Sequence, residues 1–186
     1  AVLRECQGTG IGTAFIEKIS QHYRASRMDA LCTSFGASEP LVRFWHRCGL
    51  AMARLGVKPE ASTGEVAAMM IKPLASSAEE FVSRVNRRFL LNLPVEQALE
   101  IRTAGVKPLV KAILGDTEMK SLVDLTDQDA QQDLRDIDSF VHHHRTLDTC
   151  IAALYRRINA LKQMESHTEL PPLLLDLVSG VARPAL

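Results

Sequence analysis

An α+β fold is predicted, with an α/β sheet over residues 1–74 and a mostly α-helical tail domain over residues 75–186. Three observations predict it. Short apolar runs alternate with amphipathic helical patterns up to Pro73. A glycine-rich bend, Gln7-Gly8-Thr9-Gly10-Ile11-Gly12, separates the first apolar stretch from the first helical one. Beyond Pro73 the strand-like runs give way to helix formers with capping signals.

Ala1-Val2-Leu3 reads as the end of a strand leading into the bend. From Thr13 to Ser26, Phe15, Ile16, Ile19 and Tyr23 recur at helical spacing opposite Glu17, Lys18, Gln21 and Arg24, which predicts an amphipathic helix. Met28–Phe35 is nearly uncharged and ends at Gly36, as a buried strand does. Strand, helix and strand in that order favour a parallel pair. Ser38 can cap a second helix with Pro40 in its first turn, and Leu41, Phe44, Trp45 and Cys48 form an i, i+3, i+4, i+7 stripe that stops at Gly49. Leu50–Val57 and Val66–Ile71 read as strands joined through the turn-rich stretch 58–64, so they are expected to pair as an antiparallel hairpin.

In the tail, Ser77-Ala78-Glu79-Glu80 has the form of a capping box, followed by Phe81, Val82, Val85, Phe89 and Leu90 on one face. Pro94, Gly105, Pro108 and Gly115 punctuate shorter helices. Thr126-Asp127-Gln128-Asp129 opens a helix carrying Leu134, Ile137 and Val141, and Thr146 opens one carrying Ile151, Leu154, Ile158 and Leu161. Pro171 and Pro172 precede a last apolar stretch ending at Gly180.

The chain has 186 residues, 46% of them hydrophobic, enough for a packed core. Charges balance at 22 basic and 22 acidic, so no global field attracts nucleic acid. The balance is uneven along the chain. Residues 1–74 carry 9 basic and 6 acidic side chains (net +3), and residues 75–186 carry 13 and 16 (net −3). The first part is therefore the phosphate-facing half. Cys6, Cys32, Cys48 and Cys150 lack Cys-x-x-Cys spacing and suit a reducing cytoplasm, where they are expected as small buried hydrophobes. No apolar run is long enough to span a membrane, and no signal peptide opens the chain. A cytoplasmic protein without a membrane partner is expected. The absence of an initiator Met, with the first residues already inside a strand pattern, is what a fragment would show.

The glycine bend is the strongest chemical signal. Three glycines in five positions let backbone approach a ligand, and the free amides of the next helical turn point outward with the positive end of the helix dipole behind them. Such a corner favours an anion, and a pyrophosphate fits it. It is no Walker A loop, because no Lys-Ser or Lys-Thr follows Gly12, and it lacks Rossmann spacing. A glycine turn that merely joins strand to helix is the structural alternative.

Elsewhere the signals are weaker. His142, His143 and His144 fan out by about 100° each if helical and cannot share one ion, so no metal is expected. Asp127, Asp129, Asp133, Asp136 and Asp138 are expected to form a solvated helix face. Phe44 and Trp45 read as core. Arg43 and Arg47, four apart, can face a phosphate or engage in surface salt bridges. No nucleophile with a matching base is recognisable.

The Gln-x-x-Gly-x-Gly pattern resembles the coenzyme A pyrophosphate loop of GCN5-related N-acetyltransferases. With Ser34-Phe35-Gly36, Arg43-Phe44-Trp45-His46-Arg47-Cys48-Gly49 and Glu60-Ala61-Ser62-Thr63-Gly64, the order of landmarks resembles the bacterial tRNA(Met) cytidine acetyltransferase family over residues 1–74, and more loosely over the tail. The resemblance implies a partial GCN5-related N-acetyltransferase sheet, the later half of that domain, followed by the family's helical C-terminal region. It implies transfer of acetyl from acetyl-CoA to N4 of the wobble cytidine of elongator tRNA(Met), with ATP bound by a helicase-like module that this chain lacks. By position, Val2 and Leu3 would meet the acetyl-pantetheine arm through their backbones. Gln7, Gly8, Thr9, Gly10, Ile11, Gly12 and Thr13 would hold the pyrophosphate, and Arg47 matches a position associated with acetyl-CoA. Where the family often has Thr-Pro-Glu, this chain has Ser38-Glu39-Pro40, which puts Pro40 at the aligned place. No side chain stands out as the catalytic base or acid; Ser38 and His46 are weak local substitutes. Arg24, Arg27, Arg54 and Lys58 are candidate tRNA phosphate contacts. An acetyltransferase of a small amine or a protein, and a noncatalytic helical interaction module, are the competing readings, and the sequence specifies no oligomeric state.

Overall fold

The computed structural model describes residues 2–61, 63–98 and 125–163. In chain order the elements are a 3-10 turn (Arg4–Cys6), α1 (Ile11–Ala25), β1 (Ala30–Gly36), α2 (Glu39–Arg47), β2 (Ala51–Pro59), β3 (Val66–Pro73), a second 3-10 turn (Ser76–Ala78), α3 (Glu79–Ala98), α4 (Asp127–Val141) and α5 (Leu147–Gln163). This is the expected α+β class. Contacts divide the described chain into two compact units, one up to Phe89 and one from Leu90 onward.

In the first unit the three strands form one sheet in the order β1-β3-β2. The predicted hairpin is present, since β2 and β3 pair antiparallel with a register shift between Met52 and Arg54. The expected parallel pair is not found among the described residues. β1 pairs antiparallel with β3, from Ala30 opposite Pro73 to Gly36 opposite Ala67. Because β3 inserts between them, β1 and β2 run in the same direction without being neighbours. Nor do Val2 and Leu3 lie in a strand, because the Leu3 carbonyl accepts from the Cys6 amide at 2.9 Å and starts the 3-10 turn instead.

Val42, Leu50, Met52, Leu55, Val66, Ala68 and Met70 make the buried core of this unit. On α2 the burial centres on Val42 and Cys48, whereas Leu41 of the expected stripe is exposed and Phe44 and Trp45 are half-buried. Trp45 packs on Phe35 of β1 with ring centroids 6.0 Å apart, which seats α2 on that face. The predicted apolar face of α1 is only partly covered, with Ile16 and Ile19 half-buried. Ile11 (50%), Phe15 (63%) and Tyr23 (43%) are exposed, and the buried residue of α1 is Ser20, whose hydroxyl donates to the Ile16 carbonyl at 2.9 Å.

The Ser77 capping box does not form. Its hydroxyl donates to Asp29 Oδ1 at 3.3 Å, and α3 starts two residues later at Glu79. Asn86 of α3 donates to the Met52 carbonyl at 2.8 Å, beside the irregularity in β2. Pro94 does not end a helix either, since α3 runs through it to Ala98. Gly105, Pro108, Gly115, Pro171, Pro172 and Gly180 lie outside the described residues.

In the second unit, α4 begins with the predicted cap. Thr126 Oγ1 accepts from the Asp129 amide at 3.3 Å, and Asp129 Oδ2 accepts from the Thr126 amide at 3.0 Å. Of the acids expected to form a solvated face, Asp127 and Asp138 are exposed but the other three are turned inward. Asp129, Asp133 and Asp136 are buried, whereas Leu134 and Val141 are exposed. The cause is arginine. Arg156 of α5 reaches both Asp133 oxygens, at 2.6 and 2.8 Å, and also donates to Asn92 Oδ1 (2.8 Å) and the Leu91 carbonyl (3.3 Å) of α3, while Arg145 pairs with Asp136. A bidentate guanidinium satisfies carboxylates that would otherwise be too costly to bury. Cys150, Ile151, Ala152, Ala153 and Ile158 form the buried side of α5, close to its predicted stripe.

Candidate anion site at the start of α1

The bend before α1 is built by its own side chains. Gln7 Nε2 donates to the Val2 carbonyl at 3.1 Å, and Thr9 Oγ1 donates to the Cys6 carbonyl at 2.6 Å. These bonds fold residues 2–9 back on themselves. Gly8 (φ 79°) and Gly10 (φ 87°) take the left-handed conformation that only glycine adopts cheaply, and a Cβ at either would meet nothing within 4 Å. Both therefore face open space. Gly10 is the N-cap of α1, so no side chain caps the helix, and its first turn holds no acid. The amides of Ile11, Gly12 and Thr13 precede the first intrahelical bond, from the Ala14 amide to the Gly10 carbonyl at 2.9 Å, and point outward with the dipole.

Gly12 differs from the other two. A Cβ there would stand 3.1 and 3.3 Å from Phe44 Cε2 and Cζ and 3.9 Å from Val2 Cγ2. Its absence lets α1 pack on α2. At the next residue, the Thr13 hydroxyl engages the Cys48 thiol, which burial pushes above its ordinary pKa. Lys72 Nζ donates to the Cys48 carbonyl at 3.1 Å and lies 3.4 Å from Glu17 Oε2; that contact holds the Glu17 carboxyl below its usual range.

Thr13 meets Cys48, and exposed Arg47 directly precedes Cys48 at the end of α2. The two arginines of α2 divide their roles. Arg43 Nη2 is bound to Glu39 at 2.8 Å, whereas exposed Arg47 has no ion-pair partner among the described residues. Pro40 sits in the first turn of α2, seven residues and about 10 Å of helix rise from Arg47. Val2 and Leu3 already use their carbonyls within the bend.

Other candidates resolve plainly. Cys48 and Cys150 are buried as expected, but Cys32 is exposed and Cys6 half-exposed. His142, His143 and His144 lie at an exposed turn after α4, with His143 at φ 61°. No group of three metal-ligating side chains occurs among the described residues. No described helix is long and apolar enough to cross a membrane. The sequence reading missed the Lys72–Glu17 pair and the Thr13–Cys48 contact, which join residues far apart in the chain and leave no local pattern.

Residues 13–75 match the family model described as GNAT acetyltransferase 2. The chain is 33% identical over 172 residues to the tRNA(Met) cytidine acetyltransferase TmcA of Nitrosococcus halophilus, covering 90% of this chain and 22% of that protein. It is 31% identical to the protein of the same name from Actinobacillus pleuropneumoniae, covering 84% and 24%, and 28% identical to that of Thermococcus kodakarensis, covering 78% and 18%. The chain thus spans between about a sixth and a quarter of the length of these relatives.

Proposed function

This chain belongs to the tRNA(Met) cytidine acetyltransferase family, and we propose that it supplies the later part of an acetyl-CoA-binding domain that acetylates N4 of the wobble cytidine of tRNA(Met). Residues 1–74 carry the coenzyme site, and the described helices beyond them, α3, α4 and α5, belong to the tail. The observation that carries the reading is the uncapped start of α1, where open left-handed Gly8 and Gly10 leave room beside the amides of Ile11, Gly12 and Thr13. Those amides receive the coenzyme pyrophosphate, together with Gln7 and Thr9 of the bend, and Arg47, exposed at the end of α2, offers a phosphate contact. Val2 and Leu3 border the acetyl-pantetheine arm, and Pro40 lies farther along that face.

Catalysis follows from placement. Holding the cytidine amine in line with the thioester removes most of the entropic barrier, and an amide N–H aimed at the carbonyl oxygen stabilises the tetrahedral intermediate. A wobble base must first be unstacked from its loop, and ATP use by another part of the natural protein would drive that step. The enzyme acts in the cytoplasm, where tRNA is its partner.

The test uses the full-length natural protein with acetyl-CoA, unmodified tRNA(Met), and ATP present or absent. N4-acetylcytidine at the wobble position, detected by mass spectrometry of nuclease digests and dependent on ATP, is the expected result. ATP-independent acetylation of polyamines or peptides without RNA acetylation would replace this reading with a small-amine or protein acetyltransferase. Failure to bind CoA would leave a noncatalytic interaction module.

A further inference from the structure

The carboxylate of Glu65 lies directly against the α-carbon of Gly36, the last residue of β1. A Cβ at position 36 would overlap Glu65 Oε2 and stand 3.2 Å from its Cδ. Both sides of this contact are held by backbone. The Gly64 amide donates to the Glu60 carbonyl at 2.8 Å, the Glu60 amide donates to the Glu65 carbonyl at 2.9 Å, and the Glu65 amide donates to Thr63 Oγ1 at 3.2 Å. On the other side, the Ala37 amide donates to the Val66 carbonyl at 2.8 Å. Gly36 pairs with Ala67, so Glu65 stands just past the paired ladder at the carboxyl end of β1, where the chain turns into α2 and Pro40 follows.

Glu65 also differs from the other acids of its unit that the structure engages. Glu17 is held by Lys72, Glu39 by Arg43, and Asp29 accepts from Ser77. Among the described residues, no hydrogen bond or ion pair reaches the half-buried Glu65 carboxylate. An ionised carboxylate only accepts, and the exocyclic amino group of cytosine presents N–H donors that Asp and Glu match.

Resting on the acetyltransferase reading above, we infer that Glu65 receives the cytidine amine and takes its proton during acetyl transfer. The N4 lone pair attacks the thioester carbonyl carbon and a C–N bond forms. The N4 proton passes to the Glu65 carboxylate. The C–S bond breaks with its electron pair on sulfur, and the thiolate takes up a proton, which restores Glu65 when that proton comes from it. Gly36 is glycine because any side chain there would displace the carboxylate.

The test compares wild type, Glu65→Gln, Glu65→Asp, Gly36→Ala and the Gly36→Ala/Glu65→Gln double variant of the full-length protein in single-turnover acetylation of tRNA(Met). Glu65→Gln is expected to slow transfer on the order of 10²-fold or more, while CoA affinity, tRNA affinity and thermal midpoint stay within error. Glu65→Asp should recover part of the rate. Gly36→Ala should slow the wild type strongly yet add little in the Gln background, because both changes remove the same group. Wild-type rates for Glu65→Gln, or equal slowing by Gly36→Ala in both backgrounds, overturn the inference while cytidine acetylation by the wild type keeps the broader reading intact. A wild type that binds CoA but acetylates no cytidine removes both.

Discussion

Replacing Gly10 by Asp and, separately, by Asn isolates the electrostatics of the proposed coenzyme site. Both side chains have the same shape, both tolerate the left-handed conformation set by φ 87°, and neither meets an atom within 4 Å at its Cβ. As N-cap residues they are nearly equivalent, so their effects on folding cancel in the comparison. What remains is one negative charge. If the carboxylate lies about 5 Å from a bound phosphate, an effective dielectric constant of about 20 gives a repulsion of about 3 kcal/mol per phosphate charge, on the order of 10²-fold in Kd. Gly10 is exposed, so screening at 0.15 M salt reduces this, and about tenfold is the smallest difference the site admits. Isothermal titration with CoA, at low and at moderate salt, reads the quantity directly. Equal affinity of the Asp and Asn variants, or a gap that does not shrink with salt, refutes the placement of a pyrophosphate at this corner.

Gly12→Val drives methyl groups toward the Phe44 ring, whose Cε2 stands 3.1 Å from the position of a Cβ; we expect a loss of about 1–3 kcal/mol in urea unfolding, largely relieved in a Phe44→Leu background. Arg156→Ala takes the bidentate partner from buried Asp133 and should cost about 3–5 kcal/mol, read as a lower urea midpoint for loss of helical circular dichroism. Lys72 depresses the Glu17 pKa, so this pair favours the folded state above the unfolded carboxyl pKa, near 4.3, and the contribution is lost as pH falls through the lower folded value; Lys72→Met should return the Glu17 titration, followed by carboxyl NMR, to the ordinary range.

Local pattern determined much of this protein. The α+β class, the α1 and α2 helices, the β2–β3 hairpin and the Thr126 cap were all legible, because hydrophobic period, glycine punctuation and capping chemistry act within a few residues of where they are read. So was the glycine corner, since positive φ at Gly8 and Gly10 is a requirement that only the residue type itself meets cheaply. Tertiary structure decided what depends on a partner distant in sequence. Asp133 looks like a surface acid until Arg156 arrives from another helix, Ser77 looks like a cap until Asp29 takes its hydroxyl, and Phe15 looks like core although nothing among the described residues covers most of it. Strand order belongs to the same class. Nothing local to Ala30–Gly36 says that β3 will lie against it in the antiparallel sense, because that choice is made by long-range pairing energies and by which side chains the completed sheet can bury.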